Sequence, residues 1–185
     1  MERGERDGRL RDLYDRYHAD LDAYCRRRLP EAQATDIVSE VFVTAWRRLE
    51  DVPDAAQLPW LYGVAKRVIA NHRRSLTRQA RLGERLRSQP ADFVPDADVP
   101  VVRREEDRLV LAALERLSPV DQEVLRLRAW EEMSSAEIGT VMGITAAAVD
   151  MRLTRARRRM ERSLRSVGFF DSVSSLRTVT NGDPS

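Results

Sequence analysis

The most prominent pattern of chemically active side chains is a run of arginines late in the sequence. Arg152, Arg155 and Arg159 are spaced three and four residues apart, so a helix would place them on one face. Guanidinium groups bind phosphate oxygens and can donate two parallel hydrogen bonds to guanine. Residues 145–148 before them are small, which permits close approach to a DNA groove. The pattern predicts a helix that reads duplex DNA, and it leaves open which arginines contact bases and which contact phosphates.

The surrounding sequence predicts a helix-turn-helix for this segment. Residues 134–142 form a short helical pattern, Gly143 ends it, and Thr145 can cap a longer second helix. For Arg157 and its neighbours Arg158 and Arg162, solvent exposure or a protein contact is as good an interpretation as DNA contact. The residues predicted to face duplex DNA are Thr145, Ala146, Ala147, Val149, Asp150, Arg152, Arg155 and Arg159.

A second basic face is predicted in the first half of the chain. Four polar residues follow one another at steps of four, three and four, as phosphate tracking along one helix face requires: Arg67, Asn71, Arg74 and Arg78. Trp60, at the start of the same helix, either stacks on an unpaired base or packs in the core. The residues predicted to contact nucleic acid here are Trp60, Lys66, Arg67, Asn71 and Arg74.

The sequence offers little that could perform catalysis. It has two histidines, one cysteine (Cys25), no glycine-rich phosphate loop and no metal-ligand spacing. The acidic pairs and runs, such as residues 105–107 and 131–132, are typical of helix surfaces. We therefore predict no enzymatic activity, no catalytic residues, no cofactor and no bound metal.

Apolar periodicity predicts an all-α fold with two small helical domains. In the first half, three apolar stripes predict three helices: one ending at Pro30, one capped by Thr35, and one with Pro59 in its first turn. In the second half, four helices are predicted, with Ser118 and Pro119 opening the second of them, and Ser134 and Glu137 forming a capping box for the third. The predicted boundaries are a first domain at 1–87, an acidic, proline-containing linker at 88–103, a second domain at 104–168 and a mobile tail at 169–185.

Composition favours a soluble protein with local basic patches. The charged fraction is 34% but the net charge is only +2, so the positions of the charges matter more than their sum. No apolar run approaches the roughly 20 residues of a membrane-spanning helix, and residues 1–12 are too charged for a secretion leader. We expect a cytoplasmic location without membrane insertion.

Five short motifs are spread over the two predicted domains. They are Leu13-Tyr14-Asp15-Arg16-Tyr17; the segment 36–42 with Trp46; the segment 60–65; Leu117-Ser118-Pro119 with Val124-Leu125; and the segment 149–157, which ends in Arg155-Ala156-Arg157. Together they resemble domains two and four of extracytoplasmic function (ECF) sigma factors of bacterial RNA polymerase. The resemblance spans about residues 9–165 and includes both domains in the family's order.

The resemblance implies a transcription initiation factor with two classes of macromolecular partner. Its second helix would dock on the clamp helices of the largest subunit of core RNA polymerase, through Asp36, Ser39, Glu40, Val43 and Arg47. The loop at 51–59 and the start of the third helix would capture a flipped base of the melted minus-ten element. The second domain would read the minus-thirty-five element as duplex, and an anti-sigma factor is an expected protein partner.

Three residues depart from the family pattern and bear on promoter choice. Ser39 stands where glutamine is usual, Arg67 where asparagine is common, and Asp150 where lysine is frequent. Asp150 would repel phosphate, so it is expected either to accept a hydrogen bond from cytosine or to orient Arg152.

A one-component helix-turn-helix regulator is the alternative function, because the second domain alone could serve one. Such a regulator needs a ligand pocket or a dimer surface. The exposed polar residues and the arginine face predicted for the first domain suit two macromolecular partners better.

Overall fold

The computed structural model describes residues 3–86 and 105–166, and within them the regular structure is helical, as predicted. The chain divides into two compact units, one built chiefly from the first three α-helices and one from the last four. Two short 3₁₀ turns, Leu49–Asp51 and Asp54–Ala56, lie between the second and third α-helices. The helices are α1 (Arg3–Arg26), α2 (Glu31–Arg47), α3 (Gln57–Leu86), α4 (Glu105–Glu115), α5 (Pro119–Ala129), α6 (Ser135–Met142) and α7 (Ala146–Ser166).

The first unit is a three-helix bundle in which α1, α2 and α3 pack pairwise. Its core consists of apolar side chains that are almost wholly buried, and Tyr24 of α1 stacks on Tyr62 of α3 with ring centroids 4.6 Å apart. Burying such side chains contributes about 1.5–3 kcal/mol each, which holds the bundle together. The predicted α1 stripe is confirmed for most of its length, but Tyr14 is 46% exposed.

The boundary between α1 and α2 differs from the prediction. The first helix ends at Arg26, four residues before Pro30, and α2 begins directly after Pro30, which occupies its N-cap with ψ 149°. Thr35 was predicted to cap α2 but lies inside it, where its hydroxyl donates to the carbonyl of Glu31 at 3.5 Å. Proline is compatible with a helix start because it needs no N–H partner, so α2 gains a turn at that end.

Arginines of α1 anchor the irregular segment between α2 and α3. Arg9 donates to the carbonyl of Val52 and to Asp54, both at 2.9 Å. Arg6 donates to Glu50 at 3.4 Å and to the carbonyl of Trp46, in the last turn of α2, at 3.0 Å. Leu49 and Val52 are buried in this segment. The loop before α3 is therefore attached both by apolar packing and by charged hydrogen bonds to backbone.

In the second unit, α7 packs against α4 and α5, and the predicted helix starts are confirmed. Ser118 accepts a hydrogen bond from the N–H of Asp121 at 3.2 Å, with Pro119 in the first position of α5. Ser134 and Glu137 form the predicted capping box of α6. The buried face of α7 consists of Val149, Leu153, Ala156 and Leu164.

Two predicted segments lie outside the described residues: the linker at 88–103 and the tail at 169–185. Among the helices that the structure describes, none has both the length and the apolar character needed to cross a bilayer.

Candidate nucleic-acid and protein interfaces

The turn between α6 and α7 has the geometry of a helix-turn-helix. Gly143 adopts φ 69°, a left-handed conformation that glycine reaches without steric penalty. The carbonyl of Gly139 accepts the N–H groups of Gly143 and of Ile144, the latter at 3.0 Å, which closes the end of α6. Thr145 then caps α7 by accepting the N–H of Ala148 at 3.2 Å. These contacts fix the angle at which α7 leaves the turn.

The start of α7 presents small side chains to solvent. Thr145, Ala146 and Ala147 are exposed, as a close approach to a groove requires. Val149 was predicted to contact DNA, but its side chain is completely buried. Its role is to fix the helix in the domain core, because a side chain without exposed surface cannot reach a base.

Asp150 is bound to α6 rather than to its neighbour Arg152. Its carboxylate accepts a hydrogen bond from the hydroxyl of Ser135, and that hydroxyl accepts one from Arg128 at 2.6 Å. The prediction that Asp150 orients Arg152 is therefore wrong. Asp150 remains exposed, so its predicted contact with a base stays a prediction.

Arg152 and Arg159 instead share a buried carboxylate from α5. Arg152 lies 3.2 Å and Arg159 lies 3.4 Å from the two different carboxylate oxygens of Asp121, whose side chain is 8% exposed. Sequence reasoning missed Asp121, because its position three residues after Ser118 indicates only an acidic first helical turn. Its partners follow 31 and 38 residues later, a separation at which no local pattern operates.

The remaining arginines of α7 are exposed. Arg155 lies on the predicted reading face, and Arg157, Arg158 and Arg162 are also exposed. Arg165 pairs with Glu161 at 2.7 Å in an exposed i,i+4 pair, which contributes about 0.3–0.5 kcal/mol. The helix thus carries a broad positive surface on the side away from its buried stripe.

The structure also places the predicted basic residues of α3 on one exposed face. Arg67, Asn71, Arg74 and Arg78 are all exposed, and Arg74 donates to the side-chain oxygen of Asn71. Lys66 is half-buried and lies about a quarter turn from Arg67, at the edge of that face. Trp60 lies near the start of the same helix.

Trp60 packs against the core of the first unit. It is partly buried against Leu13, Leu49 and Val52, and the guanidinium of Arg48 lies 5.9 Å from the centre of its ring. Its side chain is only partly buried, so core packing and stacking on an unpaired base are both compatible with the position of Trp60.

The predicted protein-binding residues of α2 form a second exposed surface. Asp36, Glu40, Val43 and Arg47 recur at steps of four, three and four, and each is exposed, as is Ser39. Val43 is 48% exposed although it is apolar. A shallow groove of about 340 Å³ runs beside it and is lined by Asp7, Leu10, Ser39, Phe42, Val43 and Trp46. An exposed apolar groove rimmed by charges is typical of a protein-binding surface.

No cluster of three or more His, Cys, Asp or Glu side chains suited to a metal ion occurs in the described part of the chain. Cys25, the single cysteine of the sequence, is buried in the first bundle.

The helix-turn-helix and its arginine-lined second helix define a DNA-binding protein of the helix-turn-helix class. Residues 13–79 match the model of Sigma-70 region 2, and residues 107–160 match that of Sigma-70 region 4. The chain is 34% identical over 164 residues to the ECF RNA polymerase sigma factor SigL of Mycobacterium tuberculosis, covering 86% of this chain and 90% of that one. It is 34% identical over 148 residues to the RNA polymerase sigma factor NccH of Alcaligenes xylosoxydans xylosoxydans, covering 75% and 76%.

Solved structures share the fold. CnrH in complex with the cytosolic domain of CnrY superposes with a TM-score of 0.55 at 24% identity, covering 85% of this chain and 88% of that one. The sigma factor RpoE in complex with the anti-sigma factor NepR from Bartonella quintana gives a TM-score of 0.53 at 16% identity, covering 88% and 95%.

The chain belongs to the ECF family of RNA polymerase sigma factors. The predicted family, all-α fold and role in transcription initiation are confirmed, and a one-component regulator is not favoured. The family is a non-catalytic one.

Proposed function

We propose that α7 reads the minus-thirty-five element of a promoter as duplex DNA. The observation that carries this proposal is the combination of an exposed, small-residue helix start with an arginine face directly after it. Small side chains let the helix enter the major groove, and a guanidinium bound to guanine contributes about 1–3 kcal/mol of discrimination. Arg155, with its exposed side chain, is the foremost candidate for a base contact.

The first unit is proposed to bind the minus-ten element after melting. The α3 face with Arg67, Asn71 and Arg74 suits the phosphates of one strand, and Lys66 extends it. Trp60 lies where this face meets the loop at 51–59, which Arg9 attaches to α1 through the carbonyl of Val52 and the carboxylate of Asp54. A loop held in this way can receive a flipped base without a large ordering cost.

The exposed α2 surface is proposed to dock on the clamp helices of the largest subunit of RNA polymerase. Acidic Asp36 and Glu40 and basic Arg47 flank apolar Val43, so the surface offers both charge steering and apolar area. The proposed domain boundaries are those of the sequence prediction: 1–87, the linker 88–103, 104–168 and the tail 169–185. Because polymerase and promoter DNA are in the cytoplasm, we propose that the protein acts there.

An anti-sigma factor is also part of the proposal. Two proteins of the same fold were solved with a bound partner, the cytosolic domain of CnrY in one case and the anti-sigma factor NepR in the other. The exposed apolar groove beside Val43 supports a protein partner for this chain as well. A search for tight partners of the tagged chain in its own cells is expected to recover such a protein, and recovery of polymerase alone would count against it.

Site-specific photocrosslinking in the assembled holoenzyme tests these assignments. A photoreactive amino acid replaces exposed Ala147, Asn71 or Val43, one at a time, in the full-length chain. We expect DNA adducts in the minus-thirty-five region from position 147, DNA adducts in the minus-ten region from position 71, and adducts to the largest polymerase subunit from position 43.

Exposed alanines elsewhere in the units provide matched controls. Ala112 of α4 and Ala19 of α1 lie on other helices and are expected to give no adduct to promoter DNA. Adducts at both control positions equal to those at 147 and 71 would refute the assigned faces. Failure of the chain to copurify with core polymerase would favour the one-component regulator instead.

A further inference from the structure

The buried carboxylate of Asp121 joins α5 to two arginines of α7. It is the one buried charged residue among those whose side chains the structure describes, in the ranges 4–79 and 108–166. Each of its oxygens serves one guanidinium, that of Arg152 at 3.2 Å and that of Arg159 at 3.4 Å. A buried carboxylate is strongly destabilising without partners, so the pairing constrains both arginines.

The position of Asp121 is itself fixed by the local structure. It is the third residue of α5, and its N–H donates to the capping hydroxyl of Ser118 at 3.2 Å. The guanidinium groups are constrained but not enclosed, since the side chains of Arg152 and Arg159 are 40% and 54% exposed. A guanidinium has five N–H donors, so each arginine can bind Asp121 and a nucleic-acid acceptor together.

We infer that Asp121 is a positioning and specificity-determining residue for promoter reading, although it does not itself face DNA. It holds the guanidinium groups of Arg152 and Arg159 at set points along α7, and its charge lowers the attraction of that face for phosphate in general. Both effects favour sequence-specific over sequence-blind binding. The inference rests on the proposed function, in which α7 reads the duplex upstream element.

The test compares holoenzymes reconstituted from core polymerase and full-length wild-type or D121N chain. The probes are a promoter identified by run-off transcription with the wild-type chain and the same duplex with its upstream element scrambled. We expect D121N to lower the ratio of promoter affinity to scrambled-duplex affinity about tenfold. This is the discrimination that one well-placed arginine–guanine contact provides. Affinity for the scrambled duplex is expected to rise and its salt dependence to steepen, because the face loses one negative charge.

E161Q is the charge-matched control, because Glu161 also pairs with an α7 arginine but in an exposed pair. It is expected to leave the ratio between the probes unchanged. A purely structural role for Asp121 would lower affinity for both probes, which is the opposite of the expected rise on the scrambled duplex. Should D121N be unfolded at the assay temperature, D121E replaces it, because it keeps the charge but displaces the carboxylate by one methylene.

The outcomes separate the inference from the proposed function. If the wild-type holoenzyme itself does not distinguish the two probes, the proposed reading by α7 fails. If the wild type distinguishes them and the folded Asp121 variant does so equally well, the inference about Asp121 is overturned while the proposed function stands.

Discussion

Gly139 lies so close to the turn after α6 that a β-carbon on it would meet the carbonyl oxygen of Ile144 at 2.7 Å. The obstacle is backbone, so no side-chain rotation can relieve the clash. The same glycine provides the carbonyl that closes α6. The angle of the proposed reading helix therefore depends on the absence of a side chain at this position.

We expect Gly139→Ala to destabilise the second unit by about 1–3 kcal/mol, the usual range for overpacking a closed site. Hydrogen exchange of the α6 and α7 amides measures this directly, and those amides should exchange faster. Gly8→Ala in α1 is the control, because a β-carbon there meets nothing within 4 Å and alanine favours helix by about 1 kcal/mol. Unchanged protection of α6 and α7 in Gly139→Ala would show that the turn can relax.

The capping box of α6 makes the second unit sensitive to acid. Hydrogen bonds from the hydroxyl and the backbone N–H of Ser134 lower the pKa of Glu137, and nearby Arg128 adds to the effect. A carboxyl group whose pKa is lower in the folded state stabilises that state fully above the unfolded value, about 4.5. This stabilisation is lost as the pH falls through the folded-state pKa.

Glu137→Gln should therefore make the free energy of unfolding less dependent on pH below about pH 5. The variant should keep part of the α6 cap, because glutamine also suits this position of a capping box. Urea unfolding at neutral and acidic pH compares the two chains. The wild-type chain should lose more stability than the variant on acidification. Equal losses of unfolding free energy in the two chains would mean that the pKa of Glu137 is the same in the folded and unfolded states.

Ser134→Ala removes the hydroxyl that accepts the N–H of Glu137 in the same capping box, while the backbone N–H of residue 134 can still donate to the Glu137 carboxylate. The expected loss of unfolding free energy is about 1 kcal/mol at neutral pH, a typical cost for removing an N-cap serine. Ser75→Ala within α3 is a control without a capping role, and it should have little effect on the second unit. Equal stability of Ser134→Ala and the wild type would contradict the role of the box.

The charged residues of the α2 surface should matter for polymerase rather than for DNA. Replacing Asp36 and Arg47 together with alanine is expected to weaken binding to core polymerase at least tenfold, because the steering charges and their contacts are lost. Titration of labelled chain with core enzyme measures the affinity. Exposed Asp20 on α1 is the control position, and normal affinity of the double variant would refute the assignment of this surface.

Much of the fold follows from local patterns that can be read in the sequence. Helices repeat apolar residues every three to four positions, and Ser118, Ser134 and Thr145 cap their helices through partners only three residues away. Such short-range chemistry depends little on the rest of the chain, which is why these starts were predicted correctly.

Residues whose roles depend on tertiary contacts were harder to predict. Asp121 finds its arginines across the domain, and Asp150 is bound to Ser135 of the preceding helix. Val149 follows the small exposed residues at the start of α7 but turns into the core. Helical periodicity defines faces but not the neighbour that each face meets, so it could not distinguish these cases.

Run-off transcription with purified core polymerase and genomic DNA, in the presence and absence of the purified chain, tests the central claim most directly. The claim that two helical units direct polymerase to promoters predicts discrete transcripts that start at defined sites only when the chain is present. The same scattered initiation with and without the folded chain, in the absence of any inhibitor, would contradict it.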